Sequence, residues 1–196
     1  MFEEKIISEV KKFTINHSEK DDIHGYPHLK RVYNTCIQIG KKLDANLLIL
    51  KIAALLHDIG RLKEKETSDN MNHAEISAEK ALEFLRTNNF NLSDDDIDNV
   101  INCIKAHSFS LKLKPETLEA KILFDADKLD AIGAIGLYRT ISFTTLNKGG
   151  IKQVIEHLER KIMKLKDRMH LESSKVIAES RHQIILDFYN KIKAEK

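Results

Sequence analysis

Apolar residues recur three and four positions apart along almost the whole chain, which is the period of an α-helix, and no sustained two-residue alternation interrupts them. A first helix is predicted over residues 2–16 with Ile6, Val10 and Phe13 inward. A second opens at Pro27, where the ring suits the first turn, and lines Leu29, Val32, Tyr33, Cys36 and Ile37 along one face before Gly40. Asp44 is the expected cap of a third, residues 45–58, in which Leu47, Leu48, Leu50, Ile52, Ala53, Leu55 and Leu56 cover most of the circumference. A helix apolar nearly all round is a buried one, and Gly60 is its expected stop.

The next stretch, residues 61–72, is too charged to pack and reads as a mobile loop near the site. A fourth helix is predicted over residues 73–86. Ser93 with Asp94, Asp95 and Asp96 opens a fifth, whose stripe is Ile97, Val100, Ile101 and Ile104. Pro115 starts a sixth that runs to about residue 131. After Asn147-Lys148-Gly149-Gly150 two longer helices follow, residues 151–171, carrying Ile151, Val154, Ile155, Leu158, Ile162, Leu165 and Met169, and residues 173–193. The expected fold is all-α, and 196 residues suit one well-filled core, so a single domain is expected over residues 1–196.

Composition narrows the function. Lys+Arg 32 against Asp+Glu 30 leaves a net charge of only +2, which gives no broad basic surface and disfavours nucleic acid as the main partner. The longest apolar stretch, residues 47–56, is broken by Lys51 and is about half of the ~20 residues a membrane span needs. Met1-Phe2-Glu3-Glu4 lacks the basic flank and apolar run of a secretory signal, so the expected location is the cytoplasm. Cys36 and Cys103 sit within helical apolar stripes and are expected to be reduced core thiols.

Chemistry enters at His57-Asp58. A His-Asp pair arises easily by chance in a chain with nine histidines, but this one ends a helix otherwise surrounded by core. An ionised aspartate there needs a compensating partner, and a metal ion is the commonest sufficient one. His107 follows Ile104 by three on the inward stripe of the fifth helix, and His28 precedes Val32 by four on that of the second. Each alone would be read as a core histidine; together with an inward His-Asp pair they point to ligands. Asp125, Asp127 and Asp130 crowd one further helical segment, and periodicity does not decide which of them turns inward.

Three ordered motifs, Pro27-His28-Leu29-Lys30-Arg31-Val32, Leu55-Leu56-His57-Asp58-Ile59-Gly60 and Asp125-Ala126-Asp127-Lys128-Leu129-Asp130-Ala131-Ile132-Gly133-Ala134-Ile135-Gly136, resemble the HD-domain superfamily of metal-dependent phosphohydrolases. The last is similar to small stand-alone bacterial members, some of which are nucleotide pyrophosphohydrolases. The resemblance covers about residues 20–140 and leaves residues 151–193 as packing helices. It implies a helical bundle with a divalent ion held by His28, His57, Asp58 and Asp127, and it raises His73 and His107 as a second site bridged by Asp58. Arg61 stands where many two-metal phosphodiesterases of the superfamily carry lysine, and Gly25-Tyr26-Pro27 is not their Gly-Tyr-Pro signature, which argues against that activity.

Two imidazoles and two carboxylates suit Mn first, with Fe, Co, Ni or Mg as alternatives. The implied substrate is a small phosphorylated molecule, a nucleotide, cleaved at a phosphoanhydride by metal-activated water. Among the nearby cations Lys30, Arg31, Arg61, Lys128 and Arg139, the two adjacent to ligands, Arg61 and Lys128, are the expected phosphate contacts, with His107 as a further substrate contact. Asp130 is the candidate for orienting a histidine or acting as a base. The competing functions are a di-iron oxygenase of the same superfamily and a nucleotide monophosphatase or phosphodiesterase.

Overall fold

In the computed structural model, which describes residues 2–66 and 72–195, every regular element among those residues is helical. They run α1 Phe2–His17, α2 Tyr26–Lys42, α3 Leu47–Leu56, α4 Arg61–Glu66, α5 His73–Thr87, α6 Asp94–His107, α7 Leu118–Asp130, α8 Gly133–Leu146, α9 Ile151–Arg160 and α10 Glu172–Ala194, with three short 3-10 turns. None is long and apolar enough to cross a membrane. Contacts divide the chain into two compact units, Met1–Phe124 and Asp125–Lys196.

The first unit is built around α3. Ile49, Leu50 and Ile52 through Leu56 are all buried, with α1, α2 and α6 packed against the helix. Its cap is Asn46 rather than Asp44: Asn46 Oδ1 accepts from Leu48 N at 3.1 Å and Ile49 N at 3.3 Å. Asp44 has φ 54, a left-handed conformation that acidic and amide side chains tolerate, and it serves to turn the chain out of α2. The helix also stops two residues early, at Leu56, so His57 and Asp58 lie on the turn beyond it. Ser93 caps α6 as expected, in a reciprocal box with Asp96. The polar stretch expected as a loop is helical over Arg61–Glu66; residues 67–71 lie outside the described residues. Cys36 and Cys103 are free, buried thiols, and burial is the main cause that pushes Cys103 up to about 12.

The second unit contains α8, α9 and α10, with α8 packed on both others. The helix Gly133–Leu146 is not predicted by the sequence pattern. Its Ile135, Tyr138, Phe143 and Leu146 are exposed, so no single apolar stripe marks it, and two glycines weaken its propensity. Gly133 takes φ +79 between α7 and α8, where other residues are strained. The predicted helix over residues 151–171 ends at Arg160, and the 3-10 turns Ile162–Lys164 and Lys166–Arg168 carry the chain on. Ile162 and Leu165, three apart, are nevertheless buried, since that spacing shares a face in either geometry, and Met169 is buried just past the last turn.

Candidate metal centre

The turn after α3 delivers His57 and Asp58 into the interior of the first unit. His57 keeps a helical backbone and turns its ring back, Nδ1 lying 2.9 Å from Ala54 O. The close passage of α5 explains Gly60: a Cβ there would meet His73 O at 2.4 Å and Ser77 N at 2.7 Å. Gly60 N donates to Ser77 Oγ at 2.9 Å, locking the turn to α5 and setting His73 beside Asp58. The glycine is therefore needed for close approach rather than to end a helix.

Three further helices bring histidines to the same carboxylate. α2 supplies His28, whose Nε2 lies 3.7 Å from Asp58 Oδ2; His57 Nε2 lies 3.9 Å from that oxygen. α5 and α6 supply His73 and His107, with Nε2 atoms 3.4 and 3.3 Å from Oδ1. Asp58 thus faces one pair of imidazoles with each oxygen. The ligand atoms of His28, His57 and Asp58, and again those of Asp58, His73 and His107, lie within 4.8 Å of one another.

The rings are oriented by their other nitrogens. His107 Nδ1 lies 2.5 Å from Ile104 O, as His57 Nδ1 does from Ala54 O at 2.9 Å. A carbonyl only accepts, so in the neutral ring Nδ1 carries the proton and Nε2 turns a lone pair toward Asp58. Lone pairs then face a carboxylate that is wholly buried and whose Oδ1 accepts no hydrogen bond of good geometry. Acceptors converging on an acceptor need a cation among them, and imidazole with carboxylate is the donor set of first-row divalent ions.

Burial, the largest influence on Asp58, pushes its acidity toward the neutral form, but the Arg61 guanidinium is the largest opposing influence and the carboxyl lies well below the usual carboxylate range. Arg61 donates from Nε to Asp58 Oδ2, and its terminal nitrogen reaches 3.3 Å from His73 Nε2. Glu64, a residue the sequence pattern does not mark, takes His73 N at 3.0 Å and faces His73 Nδ1 at 3.4 Å with the same oxygen.

Upstream, Asp21 shapes the entry to α2. Its Oδ1 accepts from Ile23 N and His24 N at 2.8 Å and from Gly25 N at 3.3 Å. Gly25 itself lies so close to Asp21 O and Glu19 O that a Cβ would sit 2.3 Å from each. The tight turn starts α2 with His28 on its inner face.

In the second unit, Asp127 Oδ2 lies 2.8 Å from Lys128 Nζ. Lys128 is buried, so this cation, expected to contact phosphate, is held against its neighbouring acid. Asp130, the candidate histidine-orienting acid, receives Arg139 at 2.7 Å in a buried pair. Asp125 accepts from His170 N and Leu171 N, each at 2.9 Å, and so secures the chain before α10.

The HD-domain family model matches residues 25–132. The chain is 31% identical to YpgQ of Bacillus subtilis over 180 residues, 88% of this chain and 84% of that protein. The crystal structure of Bacillus subtilis YpgQ in complex with ADP superposes with a TM-score of 0.80 at 27% identity, covering 100% of this chain and 97% of that one. An HD-superfamily hydrolase from Bacillus thuringiensis superposes with a TM-score of 0.74 at 25% identity, covering 98% and 97%.

Proposed function

The chain belongs to the HD-domain family, and from that premise we propose that it hydrolyses a nucleotide phosphoanhydride between the α and β phosphates, releasing pyrophosphate. Solved relatives described as HD-superfamily hydrolases support metal-dependent phosphohydrolase activity for this chain. What carries the proposal is Asp58, a buried, ionised carboxylate with two imidazoles turned toward each oxygen.

His28, His57 and Asp58 would hold one divalent ion, Mn by the donor set, and Asp58, His73 and His107 a second. The resemblance of the motif Asp125-Ala126-Asp127-Lys128-Leu129-Asp130 to the superfamily is what names Asp127 as a further ligand. When bound, such an ion lowers the pKa of water and polarises a phosphoryl oxygen.

The chain's own groups do the rest. Ala54 O and Ile104 O fix the His57 and His107 rings in the donor tautomer. Arg61, partly exposed beside Asp58, offers a planar fork of donors to a polyphosphate, whose adjoining phosphates present more oxygens than a monoester. Where only the His28, His57 and Asp58 ion binds, His107 is instead the group proposed to contact substrate or position water. The ADP bound to YpgQ supports a nucleotide as the ligand class. The choice of bond rests on likeness to the stand-alone pyrophosphohydrolases.

A second function draws on the sharing of Asp58 between two histidine pairs, which equally suits a di-iron oxygenase. One experiment separates the two. Purified protein is analysed for metal and then given a nucleoside triphosphate panel with Mn, Co, Ni or Mg, scoring phosphate and pyrophosphate separately. Nucleoside monophosphate with pyrophosphate is the expected pair of products. Phosphate alone would mean a monophosphatase, and oxygen uptake by an iron-loaded sample would mean the oxygenase.

A further inference from the structure

We propose that Glu64 is the positioning residue of the centre, holding His73 in the one tautomer that can bind metal; this rests on the metal-dependent function proposed above. His57 and His107 are set by backbone carbonyls of their own helices. His73 begins α5, so it has no preceding turn of its own helix to provide such a carbonyl. The acceptor comes instead from α4: Glu64 Oε1 receives the His73 backbone N at 3.0 Å and stands 3.4 Å from the ring Nδ1.

The opposite side of the ring agrees. Arg61 carries only donors, and its terminal nitrogen lies 3.3 Å from His73 Nε2. That nitrogen must present its lone pair, which leaves the proton of the neutral ring on Nδ1, facing Glu64. Arg61 and Glu64 are three apart on one short helix, so α4 addresses both nitrogens of His73 at once. Glu64 has 35% of its side chain exposed and His73 only 11%, so the carboxylate keeps contact with solvent while the ring it orients is enclosed. Carboxylate behind imidazole is a recurrent support for a metal ligand, and its loss costs about 10–100-fold in metal affinity.

The test begins with the metal-free protein labelled with 15N-histidine. In the wild type the His73 resonances should report a protonated Nδ1 and a bare Nε2; Glu64→Ala should mix the tautomers, and Glu64→Gln, which keeps an acceptor oxygen, should restore most of the wild-type signal. Mn titration followed by calorimetry and paramagnetic resonance should then show one of two ions weakened about 10–100-fold in Glu64→Ala, the other unchanged and Glu64→Gln intermediate. A bare Nδ1 in the wild type, or His73 signals and both Mn affinities unchanged in Glu64→Ala, would overturn the proposal. Should Glu64→Ala fail to fold, the wild-type and Glu64→Gln spectra decide it. Absence of Mn binding by the wild type would instead sink the metal-dependent function, while the tautomer measurement would still decide the role of Glu64.

Discussion

The Arg61 guanidinium donates from Nε to Oδ2 of Asp58, a pairing in which the acid side chain is wholly buried and the base side chain keeps 23% of its surface exposed. The same oxygen faces His28 and His57, so cation and guanidinium compete for it. Arg61→Ala should therefore bind Mn about tenfold more tightly, the loss of one charge-assisted hydrogen bond, yet turn over substrate about 100-fold more slowly for want of a phosphate contact. Calorimetry beside steady-state kinetics checks both. Weaker Mn binding with normal turnover would show that Arg61 supports the ligands instead.

His57→Ala and Asp58→Ala should each lose bound metal while far-ultraviolet helicity stays near wild type. Both residues sit past the end of α3, so their side chains can be removed without breaking the helix at the centre of the first unit. Metal analysis of the two purified variants is the measurement, and full Mn occupancy in both would remove the site assignment.

Asp127→Asn should abolish turnover, whereas Asp125→Asn should chiefly lower stability, by about 1–2 kcal/mol. The distinction follows from their partners: Asp125 is engaged by the N–H groups of His170 and Leu171, and Asp127 is the ligand proposed from the resemblance of its motif to the HD-domain superfamily. Paired kinetics and thermal melts decide it. Equal losses of activity, or the reverse order, would assign the ligand wrongly.

Acid should loosen the approach to α2. Burial acts most strongly on Asp21 and raises its pKa, but the N–H of His24, the Glu19 side chain and the N–H groups of Ile23 and Gly25 outweigh it and bring the group from 3.8 down to about 2. A lowered folded-state value means stability that is present above the ordinary pKa and lost as pH falls toward the folded one. Asp21→Ala should thus cost about 1 kcal/mol at neutral pH, after discounting for exposure, and progressively less between about pH 4 and pH 2. Urea titrations across that range would show a constant difference if the carboxylate contributed nothing by its charge.

The histidines of the first unit were legible because helical period and buried environment coincide: His28 and His107 lie on stripes that pack inward, and the His-Asp pair follows the most apolar helix of the unit. Glu64 was not, since it sits in a run of charges and acts through a fold-back to His73 that no local period encodes. Gly60 was visible as a helix stop, although its demand is for space against α5, a tertiary fact. The helix Gly133–Leu146 escaped because its surface leaves several large apolar side chains exposed, erasing the stripe by which helices are found. Asp44 and Asn46 show the limit of cap prediction: both are good caps, and only the backbone at Asp44, turned left-handed to leave α2, assigns the role to Asn46.

The two enclosed thiols make the first unit its own stopwatch. Cys36 lies on α2, which carries His28, and Cys103 on α6, which carries His107; burial keeps both from an alkylating reagent. Labelling must wait for those helices to open, so its pace counts the openings. Clamping by Mn should slow both cysteines together, and no reporter group need be introduced to see it.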